Sequence, residues 1–170
     1  MMNRVVFFAL ASLLQIAVPL LPARNPQKVP QPRNERAQAV LKIQLTSVLV
    51  DDQQKALKFY TEILGFVKKR DIPIGKDRWL TVVSPSEPAG VELVLEPNGF
   101  PPAKTYQKAL LEAGIPAAAF GVDDVQRTYE ALTKMGVAFR TKPTKSDNAI
   151  IAVFDDTCGN LIQIFQVISK

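Results

Sequence analysis

Glu92 and Glu96 stand four residues apart in a chain of 170 residues that contains no histidine. A carboxyl group works as a proton donor or acceptor when burial or a neighbouring charge raises its pKa, so these two are the candidate acid–base groups. They also alternate with Leu93 and Leu95, the pattern of a strand with one face in water. Trp79, beside Arg78, offers a flat surface on which a ligand could stack, or packs at the rim of a core. The missing imidazole removes the commonest metal ligand and every nucleophile that depends on a histidine base. Cys158 is the single cysteine, so no internal disulfide can form, and no basic neighbour in sequence activates its thiol. Lys68-Lys69-Arg70 reads as a solvated strand edge, and Tyr60 as core.

The elements that must position these groups follow from periodicity. Over residues 41–50, Leu41, Ile43, Leu45 and Leu49 share one strand face, interrupted by Ser47. Asp52 then caps a helix in which Ala56, Leu57, Tyr60, Ile63 and Leu64 fall at helical spacing before Gly65. Strands are expected near 66–72, 78–84 and 90–96, separated by turn signals at Pro73, Pro85, Pro88 and Gly90. A middle helix over 103–113 places Tyr106, Ala109, Leu110 and Ala113 on one side. The order then repeats: a strand at 117–122, a helix capped at Asp123 or Asp124 and ended by Gly136, and strands near 138–142, 149–155 and 161–168.

The repetition is visible in the letters. Val50-Asp51-Asp52-x-Gln54-Lys55 returns 72 residues later as Val122-Asp123-Asp124-x-Gln126-Arg127. That period suits a half-domain of several strands and a helix, and two such halves usually enclose a ligand cleft. The segment before them is different. Residues 5–21 form an apolar run broken only by Ser12, Gln15 and Pro19, followed by a Pro-rich charged stretch. The chain therefore divides into 1–23, a signal peptide or membrane anchor; 24–39, a linker; and 40–170, a domain with units at about 41–97 and 116–168. The leader implies export or membrane association through residues 5–21, or a cytoplasmic protein if translation begins near Val40. Most of the formal charge of +5 lies in the leader and linker, leaving residues 40–170 at +1. A nearly neutral domain lacks the footprint of a nucleic-acid binder.

Phe59-Tyr60-x-x-x-Leu64-Gly65-Phe66 after Val50-x-Asp52, with Asp156-x-x-Gly159-Asn160-Leu161-Ile162, resembles the vicinal oxygen chelate superfamily of glyoxalases, bleomycin-resistance proteins and ring-cleaving dioxygenases. The resemblance covers about 41–168, with Thr157-Cys158 standing where the family often has Pro-Asp. It implies an α+β fold of paired βαβββ modules curled into a half-open barrel around a cleft. It also implies that a divalent metal, where present, is held from the first and last strand of each unit. Counting from the motifs, those positions are Leu45, Val94, Ala117 and Gln163, of which three carry no donor. No metal or other cofactor is therefore expected, although Glu92 or Glu96 joining Gln163 would leave a divalent site open.

Three functions follow. The first is a metal-free protein that holds a small organic molecule against Leu45, Trp79, Val94, Ala117 and Gln163. The second is a glyoxalase-like lyase or isomerase using Glu92, Glu96 and Gln163, and the third is an interaction module without a pocket. Such a chain would act as a monomer or a homodimer.

Overall fold

In the computed structural model, residues 41–168 are described; the leader and linker expected over 1–39 lie outside them. The elements run β1 (Leu45–Val50), α1 (Gln53–Lys58), β2 (Val67–Ile74), β3 (Asp77–Val83), β4 (Glu92–Pro97), α2 (Pro101–Ala113), β5 (Ala118–Gly121), α3 (Val125–Lys134), β6 (Phe139–Ser146), β7 (Ala149–Asp155) and β8 (Leu161–Val167). They form two four-stranded sheets of the same design, β1-β4-β3-β2 and β5-β8-β7-β6. In each, the first strand runs parallel to the last and the other pairings are antiparallel. These are the paired βαβββ modules of the α+β class.

Local chemistry sets the boundaries. The Asp52 carboxylate accepts from the N–H groups of Gln54 and Lys55 at 2.8 and 2.9 Å, closing the start of α1. In the second unit the cap is Asp124, which accepts from the Arg127 N–H, rather than Asp123. α1 continues as a π-helical turn over Phe59–Ile63, which turns both Phe59 and Tyr60 inward. Pro73 lies inside β2 rather than at a turn, which Gly75 and Lys76 make instead. β2 is a sheet edge, so the missing proline N–H leaves no ladder bond unmade.

β1 is shorter than its apolar alternation suggests. Leu41 and Ile43 are exposed ahead of it, because the partner strand β4 begins at Glu92, opposite Leu45. Its core face is the even-numbered one. Val48 and Val50 join Leu80, Val82, Leu93 and Leu95 against α1, and Phe154, Ile162 and Ile164 of the second sheet complete one continuous cluster. Phe59 packs at 6.3 Å between ring centres on Phe154, so the first unit's helix helps cover the second unit's sheet.

A buried polar joint locks this arrangement. Oδ1 of Asp156 accepts from the N–H groups of Cys158 and Asn160, and Oδ2 accepts from the Tyr60 hydroxyl and the Asn160 amide. Gln107 of α2 donates to the carbonyls of Leu49 and Cys158, which ties the connector to both units. Gln107 is thus the buried residue of α2, whereas Tyr106, expected on its inner face, is exposed. Gly159 must be glycine twice over. Its φ is +95°, and a Cβ there would lie 2.9 Å from Gln107 Nε2.

Candidate functional site

The face of the first sheet that carries the odd-numbered residues of β1 and β3 and the even-numbered residues of β4 points away from the helices. Leu45, Ser47, Ile74, Asp77, Trp79, Val94, Glu96 and Pro97 surround a cavity of about 460 Å³ there, with Thr46 and Arg78 at its edge. Its floor is hydrocarbon and indole. The carboxylates of Glu96 and Asp77 accept no hydrogen bond from any described residue, and the Ser47 and Thr46 hydroxyls add polar points. Arg78 is already engaged: its Nε and Nη2 donate to the two oxygens of Asp71 at 2.8 and 2.7 Å, which pulls the Asp71 carboxyl down to about 2.

Leu45, Trp79, Val94 and Glu96 are thereby brought to one cavity. Ala117 is not; it borders a separate hollow beside Tyr106 and Asn160. Gln163 lies on β8, paired with Ala119 on one side and Val153 on the other. In the register of β1 and β4, Glu92 stands across from Leu45 and Val94 across from Ser47.

Glu92 itself is buried, at 3% exposure, and does not face water as its alternation with Leu93 suggests. The reason lies two strands away. Arg70 of β2 reaches over β3 and donates from Nε to both carboxylate oxygens at 3.1 and 2.9 Å, while the Thr81 hydroxyl donates at 2.8 Å. The guanidinium holds the Glu92 carboxyl below the usual glutamate range, against the opposing effect of burial. Of the basic run 68–70, only the two lysines behave as a solvated edge. Cys158 is fully buried, and its thiol is pushed up to about 12 by burial and by Asp156.

On the far side of the same sheet, a side chain not singled out by the sequence touches both strands that flank the cavity. Gln53, the first residue of α1, accepts from the Arg78 N–H at 2.9 Å and donates to the carbonyls of Arg78 and Leu95 at 2.7 and 2.8 Å. The available signal was the repeat: its counterpart 72 residues on is Val125.

Residues 42–164 match the profile of the Glyoxalase/Bleomycin resistance protein/Dioxygenase superfamily. The chain belongs to that superfamily. Over 126 residues, 74% of this chain and 99% of the relative, it is 58% identical to the uncharacterized protein YurT of Bacillus subtilis (strain 168). It is 30% identical, over 74% of this chain and 95% of the other, to a probable lactoylglutathione lyase of Synechocystis sp. (strain ATCC 27184 / PCC 6803 / Kazusa). Among solved structures it is similar to TnmS3, an antibiotic binding protein from Streptomyces sp. CB03234. That likeness has a TM-score of 0.61 and 32% identity, and covers 76% of this chain and 98% of the other. The proteins this chain resembles thus include both a probable lyase and an antibiotic binding protein.

Proposed function

We propose that this superfamily member binds a small organic molecule on the open face of its first sheet and does so without a metal ion. The observation that carries this reading is the cavity walled by Leu45, Ile74, Trp79 and Val94 with the carboxylates of Asp77 and Glu96 at its margin. Such a lining suits a planar apolar body bearing hydrogen-bond donors or a positive charge. Likeness to an antibiotic binding protein supports the same class of ligand.

The donor set does not fit a divalent ion. Leu45, Val94 and Ala117 offer hydrocarbon, which leaves the Gln163 carboxamide as the one donor among the four expected positions. Glu92, a suitable ligand by type, already has its charge met by Arg70. A lyase reading draws on the Synechocystis relative, but it needs a carboxyl held near neutrality, and Arg70 moves Glu92 the other way.

The open faces also favour a second copy. Leu45, Ile72, Ile74 and Val167 are 44–66% exposed on them, so pairing of two chains would cover apolar surface and close the cavity. The leader over 5–21 would place this binder at or beyond a membrane, a reading that N-terminal sequencing of the natural protein tests.

The central experiment titrates the single tryptophan, Trp79, with bleomycin and with the planar cation 9-aminoacridine, and repeats both by calorimetry. Saturable binding in the micromolar range, about 8 kcal/mol, is expected for one or both. No heat and no saturable quenching by either compound up to millimolar concentration overturns the reading. Turnover of the methylglyoxal–glutathione hemithioacetal with added nickel or zinc would replace it with the lyase.

A further inference from the structure

The two sheets share a strand order but differ at one seam. β7 and β8 are paired at seven successive positions, from Ala149 with Val167 to Asp155 with Leu161. β3 and β4, their counterparts, are paired at only two, Thr81 with Val94 and Val82 with Leu93. The cavity opens beside the unpaired stretch, with Arg78 and Trp79 on one flank and Glu96 and Pro97 on the other.

Extending the Thr81–Val94 register by three residues sets Arg78 against Pro97, which has no N–H to give. The side-chain amide of Gln53 takes that place. It pairs with both the N–H and the carbonyl of Arg78, as a neighbouring strand would, and donates also to the Leu95 carbonyl. A primary amide matches a peptide group in donors and acceptors, so the strand ends stay satisfied while apart. The second unit has the reverse arrangement. The residue in place of Gln53 is Val125, fully buried, and the strand carries Gln166, which pairs with Ile150 and accepts the Val125 N–H on its side-chain oxygen.

We propose that Gln53 is the residue that creates the cavity: its amide substitutes for the unpaired end of the β3–β4 ladder and holds Trp79 and Glu96 apart. The cavity on the first sheet therefore depends on a glutamine on the opposite face. Gln53 is a positioning residue, reaching the ligand only through Trp79 and Glu96. Its value to the protein rests on the binding reading above, but its effect on the strands does not.

The test uses Trp79 as its own probe in the full chain. Acrylamide quenching of its fluorescence is measured in the natural sequence, in Gln53→Val, and in the double variant Gln53→Val/Pro97→Gln, which copies the second unit. Closure of the seam predicts a several-fold fall in the quenching constant, largest in the double variant, with circular dichroism unchanged. A folded double variant quenched like the natural chain overturns the proposal. Should neither variant fold, cross-strand nuclear Overhauser contacts between the Trp79 and Glu96 backbones in the unaltered protein decide. Their absence supports the wedge and their presence refutes it. Titration with 9-aminoacridine separates the two readings. Reduced quenching in the variants with no binding by the natural chain leaves the wedge standing and removes the proposed ligand class.

Discussion

The Tyr60 hydroxyl donates to Oδ2 of Asp156 at 3.0 Å, joining the helix of the first unit to the β7–β8 turn of the second across 96 residues of sequence. Both groups are fully buried. Tyr60→Phe removes the donor while keeping the ring, and the expected loss is about 1–3 kcal/mol of unfolding free energy. Urea denaturation followed by circular dichroism measures it; a midpoint equal to that of the natural chain would show the bond to be idle.

Two carboxyl groups give opposite pH slopes. Burial pushes the folded-state pKa of Asp156 above its unfolded value, so its ionisation opposes folding: its contribution is greatest in acid and declines as pH rises through the raised pKa. Glu92 is depressed by Arg70, so its stabilisation is present above the ordinary glutamate range and is lost as pH falls through the lowered value. In Glu92→Gln the acid-side loss of stability should become shallower, and the chain should be less stable than the natural one at pH 7. Thermal melts across the acid range supply the comparison.

Trp79 forms much of the cavity's apolar wall. Trp79→Ala is expected to weaken 9-aminoacridine binding at least about tenfold, or about 1.4 kcal/mol, while leaving the far-ultraviolet spectrum unchanged. Calorimetry reads the affinity; equal affinity for both chains would place the ligand elsewhere.

Pairing of two copies is expected to depend on the exposed apolar side chains of the open face. Ile72→Glu puts a charge among those side chains and should shift the sedimentation coefficient from dimer to monomer. A natural chain that sediments as a monomer at high micromolar concentration would exclude the closed dimeric cleft.

Much of the scaffold was legible in the sequence because local chemistry dictates it. Asp52 and Asp124 announce helix starts, and the Asp156–Gly159 turn needs its glycine for both φ and space. The face of β1 that lines the cavity was legible only through the family resemblance, which put Leu45 there, because Leu45 and Leu49 are as apolar as Val48 and Val50 and periodicity cannot say which side a helix covers. Glu92 was misread as solvent-facing for a related reason. Its partner Arg70 is 22 residues away, in a run that resembles an ordinary charged edge. Gln53 looked like any first-turn polar residue until its contacts with β3 and β4 were seen.

The sealed position of Cys158 has a practical outcome. A lone sulfhydryl beneath the Asp156 turn, with its proton held to about pH 12, should resist alkylating reagents for as long as that turn stays seated. Each molecule consequently carries one chemical clock, and its labelling rate under native conditions would time how often the contact between the two halves comes undone.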